Sequence, residues 1–353
     1  MGEFQLAGRC CPLAIYSQSL EIAADDPVTS PALVAPASIA DPLAPAAIAA
    51  LRAHPRFAEA ARAAAAGMVA HYSGNRLLNQ LMNDRGRALF THQAVYLHFS
   101  RTPGDAGSGL TVSRLKDLCV ETQLCSRGRA EVMLGLLRAV GYLAPAPNAA
   151  DRRQRVLVPT DKLLALHRQR FQMHFEAMEA ALPEAALART SEELPRWPLA
   201  SLASAAGAAL DDPNFMPAFA RILGRHFRAG LRLLSHSPEL LLFAERNAGM
   251  VILFSLLLAG EGDDGFPPAR PVPVSISALG AKFGVSRKHV LTLLRDAENE
   301  GFLQRTGDRN DRVVLLPRVR DGVQAFFATM FLYLAHSAGE ALTEIGRPTV
   351  VPP

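Results

Sequence analysis

The sequence predicts a protein that is mainly α with small β wings, laid out as two related halves in one chain. Three observations predict it. Behind each of two serines, Ser126 and Ser286, apolar residues recur at helical spacing. Two short β-branched runs, Val156–Pro159 and Val313–Pro317, each follow a polar, arginine-bearing turn. The landmarks around them also occur twice at a near-constant offset, the mark of an internal repeat. A chain of 353 residues is long enough for two or three domains. Its formal charge of +4 is mildly basic, which permits a nucleic-acid partner without demanding one.

In chain order, residues 1–45 are rich in Ala and Pro, with Pro27, Pro31, Pro36, Pro42 and Pro45 breaking any helical period, and are expected to be a disordered arm. The first half, 46–182, opens with HPRF (His54–Phe57), a proline where a helix's first turn tolerates it. Two helical segments follow, ending in QAVYLHFS (Gln93–Ser100), and then LTVSRLKDL (Leu110–Leu118). Next come the Ser126 helix, the triplet Gly141-Tyr142-Leu143, the run DRRQRVLVP and an amphipathic helix over about 160–182. A connector, 183–206, holds Trp197.

The second half, 207–346, repeats this order. DPNF (Asp212–Phe215) matches HPRF, and AGMVILFSLLLAG (Ala248–Gly260) is expected to be a buried helix, too short to span a bilayer. VSISALGAKF (Val274–Phe283) precedes the Ser286 helix, Gly301-Phe302-Leu303, DRNDRVVLLP and an amphipathic helix over 319–345; residues 347–353 form a tail. Serine and glycine are spaced identically, Ser126 to Gly141 and Ser286 to Gly301.

The repeated device has a physical reading. In the second half Ile276 and Leu279 start an apolar face, Gly284 supplies a tight turn, and Ser286 can cap the next helix through its free amides. Val290, Leu293, Leu294 and Ala297 then face inward, which leaves Arg287, Lys288, His289 and Thr292 on the outer N-terminal face. In the first half about four extra residues around Glu121–Cys125 lengthen the turn, and Gly128 replaces the lysine. Ala130, Met133, Leu134 and Leu137 face inward there, and Arg127, Arg129 and Val132 outward. A helix–turn–helix presents such positions to base edges in the major groove, where the planar fork of arginine matches guanine. The candidate DNA-binding residues are therefore Ser126, Arg127, Arg129, Ser286, Arg287, Lys288, His289 and Thr292, with Arg152, Arg153, Arg155, Arg309 and Arg312 on the wings.

The order of helices, helix–turn–helix, Asp-Arg-Arg wing and long final helix resembles the MarR family of bacterial transcription regulators. DRRQRVLVPT looks like that family's wing signature; the second half departs from it at Asn310. The resemblance implies two tandem winged helix–turn–helix domains with flanking helices, a built-in pseudo-dimer. It implies a sequence-specific regulator of transcription, a repressor released by a ligand or signal, on a pseudo-palindromic operator of double-stranded DNA. Half-sites would lie about one helical turn, ~34–36 Å, apart. It also implies a small aromatic or acidic effector between helical and winged parts, near His71, His92, His98, Tyr72 and Tyr96, with no residue assigned to hold it. The chain would act as a monomeric pseudo-dimer or pair through its final helices. A plasmid-type replication initiator is the alternative within DNA binding, and a winged-helix interaction scaffold the alternative outside it.

No glycine-rich phosphate loop, metal-ligand cluster or nucleophile elbow stands out, so neither enzyme activity, cofactor nor metal is expected. Cys10, Cys11, Cys119 and Cys125 make no disulfide framework; a thiol switch at Cys119 and Cys125 is weighed against buried, inert thiols. The start of the sequence lacks a secretory pattern, and a cytoplasmic, nucleoid-associated location is expected without a membrane partner.

Overall fold

The computed structural model describes residues 43–74, 78–79, 81, 83–105, 108–147, 156–182, 199–260 and 265–347. Nearly all of the N-terminal arm, Arg152, Arg153 and Arg155, which are expected on a wing, and Trp197 lie outside the described residues.

The protein is mainly helical with two small antiparallel sheets. In the first half α1 (Pro45–Arg52), α2 (Phe57–Tyr72) and α3 (Arg85–Phe99) precede α4 (Val112–Glu121) and α5 (Arg127–Ala139). The strands β1 (Leu143–Pro145) and β2 (Leu157–Pro159) and the long α6 (Asp161–Ala181) complete it. The second half runs α7 (Leu199–Ala209), α8 (Phe215–Arg228), a short α9 (Leu241–Ala244), α10 (Gly249–Leu258), β3 (Val272–Pro273), α11 (Ile276–Phe283) and α12 (Arg287–Asn299). It closes with β4 (Leu303–Thr306), β5 (Arg312–Leu315) and α13 (Pro317–Glu344).

Local chemistry sets the boundaries. Polar side chains accept an amide hydrogen bond from the first turn at Asp84 (α3), Thr111 (α4), Ser126 (α5), Ser275 (α11) and Ser286 (α12). Proline at the first position starts α1 and α13, where its missing N–H costs nothing.

The two sheets share a layout. In the second, β5 lies between β3 and β4, with Val272 opposite Val313 and Leu303 opposite Leu315. In the first, β2 pairs with β1 (Leu143 opposite Pro159), and an antiparallel bridge joins Thr111 to Val156 on the other side. Thr111 and β3 each immediately precede two successive helices, so the strand arrangement repeats along with the helices.

The packing between halves is reciprocal. α1 of the first half packs on α13, the last helix of the second, while α7 of the second packs on α6, the last of the first. Likewise α3 packs on α8, and α10 packs on α2. Contacts in which element i of one half meets j of the other, and j meets i, are those of an isologous dimer interface. The described residues consequently fall in a single compact unit with one continuous apolar core. The expected stretches 46–182 and 207–346 both contribute residues to this core.

Two expectations change as a result. The C-terminal part of the connector is the buried helix α7, with Leu199, Leu202 and Ala206 against its neighbours. The last helix is not amphipathic in the usual sense. α1, α7 and α8 all pack on α13, which buries Phe327, Phe331 and even Thr329 and Ser337. A helix surrounded on most sides has no broad solvated face to keep polar. The apolar run before Gly260 is the buried α10, as its composition predicts, and among the described residues no single helix is long and apolar enough to cross a membrane.

Candidate nucleic-acid interface

In the second half the turn between α11 and α12 is held by close backbone approach. Gly284 takes a left-handed conformation (φ 67°), and a Cβ on Gly280 would stand 2.8 Å from the Val285 carbonyl oxygen. Ser286 then caps α12 by accepting from the His289 amide at 3.1 Å. Val290, Leu293, Leu294 and Ala297 are buried, which turns Arg287 and Lys288 fully outward; both are exposed, with no side-chain ion pair or hydrogen bond among the described residues. Thr292 is half-buried beside them. His289 is otherwise engaged: its imidazole Nε2 donates to the Asn247 carbonyl at 2.7 Å, so it anchors the helix start rather than projecting from it.

The hairpin after α12 is fastened by Arg305, whose amide and guanidinium donate to Glu298 at 2.6–2.9 Å. Arg309 is exposed at the tip, next to Asn310 in the left-handed region (φ 52°). Arg312 is exposed too, but its guanidinium donates to the Pro271 carbonyl at 2.9 Å and braces the edge strand.

The first half builds the same end differently. Gln123 takes the left-handed turn position (φ 55°) occupied by Gly284 in the other half, and the longer turn leads to Ser126, which accepts from the Arg129 amide at 3.3 Å. Arg127 and Arg129 are exposed, but Arg127 is ion-paired with Asp117 on α4, whereas the Arg129 guanidinium lies beside Gly86 at the start of α3 with no ion pair or hydrogen bond among the described residues. Cys119 is buried and Cys125 half-buried; burial and the neighbouring Cys125 push the Cys119 thiol up, which disfavours the reactive thiolate.

A cavity of about 230 Å³ is walled by α2, α3 and α6 from the first half and α8, α10 and α13 from the second. Phe171, Leu223, Phe227 and Met330 make much of its wall apolar. Four polar atoms of its lining residues lack partners: Gln93 Oε1, His167 Nε2, His174 Nδ1 and Arg170 Nη1 are buried without a hydrogen bond. Burial first, and then the Arg170 charge, hold His92 down at about 4 and His174 at about 3. Burial, then the neighbouring His92 and Arg170, hold His167 well below its ordinary value. At neutral pH the cluster is thus three neutral imidazoles around one guanidinium.

Of the residues near which the resemblance implies an effector, Tyr72 and His92 line this cavity; His71, His98 and Tyr96 do not. Tyr96 instead packs on Gly224 and receives a 3.5 Å hydrogen bond from Arg228. Arg170, His167 and His174 were missed, although their spacing puts all three on one face of α6.

The cavity wall also touches what holds both exposed helix ends. Arg232, a lining residue, donates to the Thr122 carbonyl at 3.1 Å, in the long turn before α5. On the other side Arg85, also lining, pairs with Glu245 at 2.7 Å; two residues on, Asn247 holds His289, and Arg246 pairs with Asp296 of α12 at 2.7 Å. No family model matches the chain, and no curated protein or solved structure matches it either.

Proposed function

We propose that the chain is a sequence-specific, double-stranded-DNA-binding transcription regulator, a repressor, that carries two non-identical winged helix–turn–helix units and reads a pseudo-palindromic operator. The observation that carries this reading is one device found twice. A serine-capped helix begins with exposed cationic side chains that make no ion pair among the described residues (Arg129; Arg287 and Lys288) and leads into an antiparallel hairpin, in halves that pack reciprocally.

Affinity would come mostly from phosphate contacts by exposed arginines such as Arg309, and base preference from the helix ends. The halves should read unequally. Arg127 is held by Asp117 and Gly128 offers no side chain, so the second half presents the stronger reading end.

Release is assigned to the cavity. An apolar pocket holding an uncompensated guanidinium and unpartnered imidazoles suits a compact acid, whose carboxylate would satisfy Arg170. A cavity of ~150 Å³ already accepts a benzene ring, so 230 Å³ has room for a ring with a carboxyl group. Such a ligand would press on Arg85 and Arg232, and through them on both helix ends.

The test is selection of bound duplexes from a random pool by the full-length protein, followed by genome-wide occupancy. The expected product is an imperfect palindrome with half-sites one turn apart, enriched at promoters. Direct repeats enriched at an origin would favour a replication initiator, and retention insensitive to salt with no enriched sequence would refute DNA reading altogether.

A further inference from the structure

One cluster of potential metal ligands stands apart from both the reading ends and the cavity polar groups. His226 on α8 and His336 and Glu340 on α13 bring three ligand atoms within 4.8 Å of one another, the one such group among the described residues. His336 and Glu340 are four residues apart on a helix and so share a face; His226 reaches them from the neighbouring helix.

Both imidazoles converge on the same carboxylate oxygen. His226 Nε2 lies 3.2 Å and His336 Nε2 2.9 Å from Glu340 Oε1. Their side chains are only 4% and 10% exposed. Yet His336 Nε2 makes no hydrogen bond: it is near the carboxylate but out of line with it. That misalignment matters, because two ligands bound to one Zn²⁺ at ~2.0–2.1 Å stand roughly 2.8–3.4 Å apart, with lone pairs aimed at the ion and not at each other. The two nitrogen–oxygen separations fall within that range.

The surroundings fit as well. His226 Nδ1 faces the buried Ser337 Oγ at 3.3 Å, the kind of outer contact that fixes a ligating imidazole. Tyr333 packs against the His226 ring, and its hydroxyl is spent on the Leu223 carbonyl. Arg225 lies 3.6 Å from the other carboxylate oxygen, Oε2, and leaves Oε1 to the imidazoles. Glu340 is 34% exposed, which gives an ion a way in and a position for water.

We propose that His226, His336 and Glu340 bind one divalent transition-metal ion, Zn²⁺ fitting best, which clips α8 to the C-terminal half of α13. Two nitrogen ligands and one carboxylate suit a borderline ion and disfavour Mg²⁺ and Ca²⁺, which take oxygen sets. The ion would stabilise the core helix pair at a point ~28 Å along α13 from the wing, 19 residues beyond Pro317. The proposal does not depend on the DNA reading, because its readout is metal.

The test uses the full-length chain, stripped with a chelator and titrated with Zn²⁺, Co²⁺ and Mg²⁺. The expected result is one Zn²⁺ per chain at submicromolar affinity, a rise in Tm, and a Co²⁺ spectrum without a thiolate band. Mg²⁺ should do nothing. Glu340→Gln and His336→Ala should each weaken Zn²⁺ binding at least ~100-fold. Crystals of the unaltered chain with Zn²⁺ should show an anomalous peak between the three side chains, a result that stands even if a variant fails to fold. Absence of saturable binding, a thiolate band implicating Cys119 and Cys125, unchanged affinity in Glu340→Gln, or a peak elsewhere would each overturn the proposal.

Discussion

Arg287 and Arg309 are both exposed arginines without a partner among the described residues, yet their positions assign them different work. Arg287 stands at the first position of α12, where under the proposed function a fork of donors would meet base edges; Arg309 sits at a hairpin tip, where only phosphate or the minor groove would be in reach. Arg287→Ala is therefore expected to cost ~1–3 kcal/mol on the selected duplex and to relax base preference, with little change on random DNA. Arg309→Ala should weaken both about equally and reduce the slope of log affinity against log salt by ~1. Anisotropy titrations at several salt concentrations separate the two. Equal losses for Arg287→Ala on selected and random duplexes would remove it from base reading. Arg127, drawn into an ion pair with Asp117, is expected to change either measurement less than Arg129.

Helix contacts between the halves are as demanding as the exposed helix ends. A Cβ on Gly224 of α8 would stand 2.1 Å from the ring of Tyr96 on α3, and Tyr96 is itself buried and tied to Arg228. Alanine gains up to ~1 kcal/mol of helix propensity over glycine, but overpacking a fixed ring costs ~1–3 kcal/mol or more. The clash wins, and Gly224→Ala should lower Tm. Gly135 is the contrast: it lies mid-helix in α5 with nothing within 4 Å of a Cβ, so Gly135→Ala should raise stability by ~0.5–1 kcal/mol. Thermal unfolding of the pair tests both signs. The same division explains what the sequence made legible. Caps at Ser126 and Ser286, the inward faces of α5 and α12, and the hairpins are local patterns, and each was readable. The pairing of α3 with α8, the burial of α13 and the engagement of His289 by Asn247 depend on partners more than 40 residues away, and no periodicity announces them. His336 and Glu340 share a readable face, but their third partner is 110 residues upstream of His336.

Because both halves wall one cavity, its titratable groups act on the stability of the whole. His174 is buried and His92 half-buried, and both are neutral, held at about 3 and about 4 by burial and then by Arg170; His167 is held well below its ordinary 6.5. An unfolded chain protonates these imidazoles near 6.5, while the folded chain resists until the pH approaches the depressed values. Below pH 6.5 the unfolded state therefore binds more protons, and stability must fall as pH falls. Their contribution is fully present above ~7 and is lost progressively from 6.5 down towards 4 and 3. A depression to about 4 corresponds to roughly 3 kcal/mol for His92 alone. Urea unfolding across pH 7.5 to 4.5 should show a decline that begins well above the carboxylate range. His174→Leu, which cannot take up the proton, should flatten that slope while filling the same space. A profile level from 6.5 to 4.5 would mean that the imidazoles meet solvent in the folded protein, and that the cavity between the halves is open and wet. A compact carboxylic acid in the cavity should shift the same curve. Its charge beside Arg170 offsets the repulsion felt by an imidazolium, so the bound protein should hold its stability to lower pH than the free one.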